Sequence, residues 1–190
     1  MSFKSGFSVE ISVDLLTQAK AGNINAFEAI YQTYSGACYA LAWRVTGQEA
    51  LAQEVVQESF IKVFRKIQQY RLQGPFAGWL RQIVVREAID KIKLETKLGR
   101  TSDEELAQTA SNDLFDFNWL ESCIALEQLT QDLSVTSRAV LFLHEVEGFS
   151  HNEIGVFFNK SASFSKVTLS RAYKSLKQRA LKQELNNAFK

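Results

Sequence analysis

The chain has very little proline and no convincing strand pattern. Its 190 residues include one proline, Pro75, and apolar and polar residues do not alternate over the length of a strand. Proline interrupts helices, whereas alternation is the signature of a half-buried strand. The sequence therefore predicts an all-α protein with one strongly marked break.

Residues that carry catalysis or bind metals are also scarce. There is no GxxxxGK[ST] loop, HExxH or GxSxG motif, and the only histidines are His144 and His151. The segment HEVEGFSH offers nitrogen and carboxylate ligands in principle, but Gly148 separates the histidines into different elements. We therefore expect no enzymatic activity, no cofactor and no metal, and we interpret Glu145 and Glu147 as solvated carboxylates.

Long apolar runs are missing. No segment approaches the roughly 20 apolar residues of a membrane-spanning helix, and the first residues, MSFKSGFSVE, contain no apolar core of a signal peptide. Cys38 and Cys123 lie far apart among helical residues, which favours reduced structural thiols over a disulfide. These features predict a cytoplasmic protein without membrane insertion.

The net charge of +1 hides an uneven distribution. Residues 1–94 contain 11 basic and 8 acidic side chains, residues 95–135 contain 2 and 9, and residues 136–190 contain 9 and 4. Two basic modules thus flank an acidic middle, which directs both ends toward a polyanion. Ordinary surface charge is the alternative explanation.

Two helices joined by a sharp loop are predicted between Ala50 and Lys93. The first has an apolar stripe at helical spacing, formed by Val56, Phe60, Val63, Phe64 and Ile67. After the loop RLQGPFAG, the core-facing residues are Leu80, Ile83, Val84 and Ala88. The opposite, solvent-facing line consists of Trp79, Gln82, Arg86 and Lys93. A ring that opens a basic stripe suits a nucleic-acid strand, although partial burial of Trp79 in the core is an alternative.

The helices before this pair are predicted from caps and glycines. Val13 to Ala21 forms a short helix that stops at Gly22. Asn25, with Glu28 three residues later, gives the N-terminal cap of a long helix that ends at Gly47. The long helix carries an apolar stripe from Phe27 to Val45, so it should pack under the Ala50 to Lys93 pair.

The C-terminal part has helix-turn-helix order. Helices are predicted at residues 119–133 and 135–147, after which Ser150 and Glu153 form a capping box that opens HNEIGVFF. The last helix follows the turn NKSAS and begins near Ser165. Its inward residues are Leu169, Ala172 and Leu176, and its outer face is formed by Lys166, Ser170, Tyr173, Lys174 and Lys177. A generic helical hairpin explains this spacing but not the basic outer face.

Parts of both modules resemble one known family. VVQESFIKVFRKI and YRLQGPFAGWLRQI resemble region 2 of bacterial sigma factors of the extracytoplasmic-function (ECF) class, and SRAVLFLHEVEGFSHNEIG with the last helix resembles their region 4. The resemblance implies two helical domains, region 2 at residues 1–94 and a region 4 helix-turn-helix at 119–190. Residues 95–118 are polar, acidic and without aliphatic periodicity, so we interpret them as the linker between the domains. Ser165 stands where the family buries valine and Phe164 where it has a small polar residue, so a displaced start of the last helix is an alternative.

The resemblance also implies a function for each domain. Region 2 would bind core RNA polymerase through Glu54, Gln57, Glu58 and Lys62. It would bind the −10 element through Arg71, Gln73, Phe76, Trp79, Gln82, Arg86 and Lys93. Region 4 would read the −35 element through Ser163, Lys166, Ser170, Arg171 and Lys174. The expected partners are core RNA polymerase, promoter DNA and an anti-sigma factor.

Two other functions are compatible with the helices alone. One is a helix-turn-helix transcription regulator whose N-terminal helices sense a ligand or dimerise, and the other is a helical protein that only sequesters a partner. Association with core polymerase separates the sigma-factor hypothesis from both.

Overall fold

Seven α-helices form the described part of the chain. The computed structural model describes residues 6–71, 73–99, 130 and 132–188, and no strand occurs within these ranges. The helices are α1 (Val13–Lys20), α2 (Ile24–Thr46), α3 (Glu49–Lys66), α4 (Phe76–Lys97), α5 (Val135–Glu145), α6 (His151–Phe158) and α7 (Ala162–Ala188). Residues 100–118 of the predicted linker lie outside the described residues, and so does the predicted helix at 119–133 apart from Thr130, Asp132 and Leu133. The predicted all-α class is confirmed.

Capping residues set the ends of α2. The side chain of Asn23 accepts hydrogen bonds from the backbone N–H groups of Asn25 (3.0 Å) and Ala26 (3.2 Å). The prediction that Asn25 is the cap is therefore wrong, because a cap residue precedes the helix in extended conformation and Asn25 is already helical. Gly47 ends the helix with φ of 70°, a left-handed conformation that favours glycine.

Helices α1 to α4, with the 3₁₀ turns Gly6–Ser8 and Ile67–Gln69, form the N-terminal unit, which comprises the described residues between 6 and 99. The long helix α2 contributes Ile30, Tyr34, Leu41 and Val45 to the core, all without solvent exposure. Leu80 and Val84 of α4 and Val55 and Val63 of α3 close the core from two sides. This packing confirms the predicted inward faces of α2 and α4, except that Tyr31 in the predicted stripe of α2 is 43% exposed.

Helices α5 to α7 form the C-terminal unit, which comprises Thr130 and residues 132–188. Ser150 and Glu153 form the predicted capping box of α6, and Asn159 ends that helix with φ of 56°. The last helix begins at Ala162, earlier than the predicted start near Ser165. Only Lys160 and Ser161 separate the left-handed residue Asn159 from α7. Ala162, Ser163 and Phe164 therefore form the first turn of α7.

The two units pack against each other through α2 and α5, and their buried side chains form one continuous core cluster. Arg138 of α5 is 5% exposed and reaches into the N-terminal unit, where its Nε donates to the carbonyl oxygen of Arg44 at 3.1 Å. Its guanidinium also lies 5.2 Å from the centre of the Trp43 ring. Among the helices of the described ranges, none combines the length and apolarity that a bilayer span requires.

Candidate polymerase and nucleic-acid interfaces

The predicted polymerase-binding residues on α3 divide into two pairs. Glu54 accepts a hydrogen bond from Lys91 of α4 at 2.7 Å, and Lys62 forms an ion pair with Glu87 of α4, which is 7% exposed. The bond to Glu54 raises the pKa of Lys91. Glu54 and Lys62 therefore also hold α3 against α4. The other two residues, Gln57 and Glu58, are exposed on the outside of α3.

Two apolar side chains extend this exposed face. Phe64 is 56% exposed and Ile61 is 43% exposed, and the Phe64 ring meets Phe27 of α2 edge-on at 5.1 Å. The prediction that Phe64 belongs to the buried stripe is wrong. At about 100° per residue it lies about 60° from the centre of that stripe, and this offset was the available signal for an exposed aromatic residue.

The loop before α4 is held by aromatic packing. The hydroxyl of Tyr70 donates to the carbonyl oxygen of Gly74 at 2.5 Å, and Gly74 has φ of 98°. The rings of Tyr70, Phe76 and Trp79 lie 5.3 to 5.6 Å apart, centre to centre. Phe76 is 4% exposed, so in this conformation its ring supports the loop and has no open face for a base. Trp79 is half-buried, as the alternative interpretation held.

A cavity of about 370 Å³ lies between this loop and the segment before α1. Its wall includes Val9, Tyr34, Tyr70 and Pro75. The Tyr34 hydroxyl donates to the carbonyl oxygen of Val9 at 2.6 Å, and burial raises the Tyr34 pKa. The volume lies within the range of small ligand sites, about 300 to 1,000 Å³.

The remaining predicted −10 residues differ in what they touch. Arg71 and Gln73 are exposed at the tip of the loop, and Gln82 is exposed on α4. The ammonium group of Lys93 donates to the carbonyl oxygen of Phe157 at 3.1 Å and lies 3.6 Å from Asp90. The Arg86 guanidinium lies 6.0 Å from the centre of the Phe157 ring. Two of these residues thus contact the C-terminal unit.

The predicted −35 residues share the open side of α7. Ser163, Lys166, Ser170, Arg171 and Lys174 are all exposed, whereas Leu169 and Ala172 are 7% and 1% exposed on the opposite side. Although α7 begins earlier than predicted, its register agrees with that of the family, because Ser165 is fully buried at the position where the family has valine. Lys166 therefore lies in the first turns of α7, on the side that faces away from the core.

The serine at this buried position has a polar partner. Its hydroxyl lies 3.0 Å from Nδ1 of His151, and the rings of His151 and His144 stack with centres 4.2 Å apart. Burial lowers the pKa of His151, and the nearby His144 and Lys166 lower it further. The interpretation of two histidines in separate elements missed this pair, because the α5–α6 turn folds the rings onto each other. No group of three or more His, Cys, Asp or Glu residues able to hold a metal occurs in the described ranges.

The largest difference from the sequence interpretation concerns Glu147. Its side chain is 1% exposed and pairs with Arg44 at 2.5 Å and with Arg81 at 3.0 Å. The prediction of a solvated carboxylate is wrong because both arginines belong to the N-terminal unit and cover the carboxylate when the units pack. Glu145, in contrast, remains exposed.

Comparisons with known proteins agree with this architecture. The family models described as Sigma-70 region 2 and Sigma-70, region 4 match residues 30–97 and 123–176, which together make up more than half of the chain. The chain is 28% identical over 137 residues to the ECF RNA polymerase sigma factor SigE of Mycolicibacterium smegmatis, covering 68% of this chain and 52% of that protein. It is 25% identical over 175 residues to the ECF RNA polymerase sigma factor SigW of Bacillus subtilis, covering 86% and 93%.

Solved structures have the same fold. CnrH, solved in complex with the cytosolic domain of CnrY, is similar with a TM-score of 0.52 and 22% identity over 88% of this chain and 95% of that chain. The sigma factor RpoE, solved with the anti-sigma factor NepR from Bartonella quintana, has a TM-score of 0.53 and 18% identity over 82% of this chain and 96% of that chain. The family matches, the similar proteins and the two helical units together show that the chain belongs to the ECF class of sigma-70 factors, which are promoter-specificity subunits and not enzymes.

Proposed function

We propose that this sigma subunit binds core RNA polymerase through the exposed face of α3 that contains Gln57, Glu58, Ile61 and Phe64, called here the core-binding face. The observation that supports it is the combination of exposed polar groups with two exposed large apolar side chains on one helix. Apolar anchors surrounded by polar groups are typical of protein interfaces. Glu54 and Lys62 contribute by holding this helix in place through their ion pairs with α4.

The experiment is co-elution of purified chain and core polymerase in gel filtration. Glu58→Lys and Gln57→Leu should each weaken binding at least about tenfold, because they change exposed groups of the face without touching the core. Gln178→Leu, a change at an exposed glutamine of α7, is the matched control. Unchanged holoenzyme formation by both α3 variants would exclude this face.

For the −10 element, the loop and α4 would bind the displaced non-template strand. A base leaves the duplex at a cost of a few kcal/mol, which a pocket and phosphate contacts offset. The cavity beside Tyr70 and Pro75 is the candidate base pocket. Gln73, which precedes the lining residue Gly74 in the same loop, would be the reader. Arg71, Arg86 and Lys93 would neutralise phosphates, Trp79 would offer the exposed part of its ring for stacking, and Gln82 would add a polar contact.

For the −35 element, the outer side of α7 would enter the major groove. Helix-turn-helix proteins contact base edges with the first turns of this helix, which here carry Ser163 and Lys166. Lysine can donate to guanine O6 and N7. Ser170, Arg171 and Lys174 lie further along the helix, where phosphate contacts are expected. Two weak contacts that are joined through the polymerase give one strong contact.

An anti-sigma partner is part of the proposal. The two similar solved structures are complexes, of CnrH with the cytosolic domain of CnrY and of RpoE with the anti-sigma factor NepR. We expect a protein of this kind to bind the present chain and compete with core polymerase. Because core polymerase and promoter DNA are in the cytoplasm, a protein that binds both would act there. A helix-turn-helix regulator without polymerase binding is not favoured, because it does not account for the match to region 2.

A further inference from the structure

A carboxylate of the C-terminal unit is inserted between two arginines of the N-terminal unit. Glu147, in the turn between α5 and α6, pairs with Arg44 of α2 and Arg81 of α4, and Arg81 also donates to the Glu147 carbonyl oxygen. The side chains of Arg44 and Arg81 are 15% and 24% exposed, and that of Glu147 is 1% exposed. A buried charge that loses its partner is strongly unfavourable, so the contact depends on all three groups.

Further basic side chains of the N-terminal unit contact the C-terminal unit beside Glu147. The Arg81 guanidinium lies 4.3 Å from the centre of the Phe149 ring. Along α4, Lys93 donates to the carbonyl oxygen of Phe157, and Arg86 lies over the Phe157 ring. All four basic residues, called here the interface cations, therefore meet the turn before α6 or α6 itself, although Arg86 remains exposed; they are Arg44, Arg81, Arg86 and Lys93.

The charges at this contact do not balance. Arg44 and Arg81 share the single buried carboxylate of Glu147. The other carboxylates near the four cations are exposed: Asp90 lies 3.6 Å from Lys93 on the same helix, and Glu153 has its pKa lowered by its hydrogen bonds to Ser150 and, less strongly, by Arg81. The remaining contacts of the cations are aromatic faces and backbone carbonyl oxygens. A DNA strand supplies a series of phosphates, so it satisfies such a cluster better than one carboxylate does.

The closed arrangement is also too short to reach both promoter elements. Their centres are about 25 base pairs apart, which is roughly 85 Å of duplex at about 3.4 Å per base pair. A compact chain of this length has a radius of gyration of about 16 Å, hence a diameter of roughly 40 Å. The two units must separate before the N-terminal unit and α7 can occupy both elements.

We infer that the interface cations form one phosphate-binding surface, and that the C-terminal unit blocks the Arg44 and Arg81 part of it in the free protein by inserting Glu147 as a substitute for a phosphate. Arg44 and Arg81 are thereby added to the promoter contacts of α4, and separation of the units exposes them. The inference rests on the proposed function in two respects, the role of Arg86 and Lys93 as phosphate contacts and the binding of both promoter elements by one chain.

The test uses the full chain with Glu147→Gln, which keeps the shape of the side chain and removes its charge. Small-angle X-ray scattering should show the radius of gyration rise from about 16 Å to above about 20 Å, the value for two separated units. Fluorescence anisotropy with a labelled 20-nucleotide single strand of mixed sequence should show at least about tenfold tighter binding. The slope of log K against log salt should become steeper by about 1.4 to 2, because two or three more phosphates are contacted.

Glu28→Gln is the matched control, since Glu28 is an exposed glutamate that accepts a hydrogen bond from Gln32 on its own helix. It removes the same charge and should change neither the radius nor the salt slope. A second variant, Glu147→Gln combined with Arg81→Gln, should keep the expanded radius of Glu147→Gln but lose part of its gain in DNA affinity. It thereby separates closure from phosphate binding.

Equal radii and affinities for Glu147→Gln and Glu28→Gln would overturn the inference. Expansion without a gain in affinity would overturn it as well, because the uncovered arginines would then not bind phosphate. Circular dichroism confirms that each variant is folded. Co-elution of the wild-type chain with core polymerase is measured in parallel, so a failure of the proposed function is seen there and not in the scattering.

Discussion

The surface predicted to read the −35 element is open, whereas the surface predicted to bind the −10 element is partly covered. All five predicted residues on α7 are exposed. On α4, Lys93 and Arg86 contact Phe157 of the other unit, and Arg81 between them and the loop is paired with Glu147. The surface predicted to bind the −10 element is therefore the one that a change in the packing of the C-terminal unit would alter.

The difference follows from where each helix packs. The inward side of α7 packs against its own unit through Leu169 and Ala172, so its outer side is left to solvent. Helix α4 packs against α2 and α3 and also meets α6. Of the two predicted DNA-binding surfaces, only the one on α4 therefore lies where the packing of the two units can cover it, within the described part of the chain.

The largest effect should come from Gly155→Ala, which destabilises the helix-turn-helix that carries the exposed surface of α7. A Cβ atom there would lie 2.8 Å from the carbonyl oxygen of Lys160 and 2.9 Å from the carbonyl carbon of Ser161, and this backbone cannot move aside without opening the turn before α7. We expect about 3 kcal/mol of destabilisation of the C-terminal unit, measured by urea unfolding, and loss of −35 duplex binding.

Gly78→Ala is the control for that change. Gly78 lies in the first turns of α4, and no described atom is within 4 Å of its Cβ position. Alanine should therefore keep stability or raise it by up to about 1 kcal/mol. Equal unfolding curves for Gly155→Ala and the wild type would contradict the packing of this helix-turn-helix.

The next effect concerns which residue of the open surface reads sequence. Lys166→Ala should cost about 1 to 3 kcal/mol at one base pair of the −35 element and relax preference there. Arg171→Ala should weaken all duplexes alike and reduce the salt slope by about 0.9, as expected for a phosphate contact. Anisotropy titrations of the full chain against single-base variants of the element measure both. Equal weakening of every duplex by Lys166→Ala would make Lys166 a phosphate contact too.

A matched pair tests the covered surface in the same way. Gln73→Ala should change the ranking of bases at one −10 position by about 1 kcal/mol. Arg86→Ala should leave the ranking unchanged and reduce the salt slope on single strands by about 0.7. Binding of holoenzyme to −10 strands with each base in turn gives both values. An unchanged ranking for Gln73→Ala would show that the loop tip does not read the base.

The smallest effect is a pH dependence of the C-terminal unit. The pKa of His151 is lowered from 6.5 by burial, then by His144 and Lys166, while Glu145 opposes the shift. The unfolded chain thus binds more protons than the folded chain below about pH 6.5, so this contribution to stability is complete above that pH and is lost on acidification. Thermal unfolding between about pH 8 and pH 5 should show a smaller loss for His151→Gln than for the wild type. Parallel curves for the two proteins would contradict it.

The sequence predicted what local chemistry determines. Periodicity and caps gave the order of helices, the break at Pro75, the capping box of Ser150 and the outer side of α7. The errors concern long-range contacts. Glu147 is 103 residues from Arg44 and 66 from Arg81, so only the packing of the units brings them together. Phe64 was assigned to the core although it lies about 60° from the centre of the stripe, at an edge where the neighbouring helices decide whether a side chain is buried.

The most direct test of the central claim is run-off transcription on fragmented genomic DNA of the host bacterium with core polymerase, in the presence and absence of the chain. If the chain is a promoter-specificity subunit with two DNA-reading surfaces, transcripts that depend on it should start downstream of two shared sequence elements, at about −10 and −35, and Glu58→Lys should abolish them. The absence of chain-dependent start sites, or start sites without shared elements, would contradict the account.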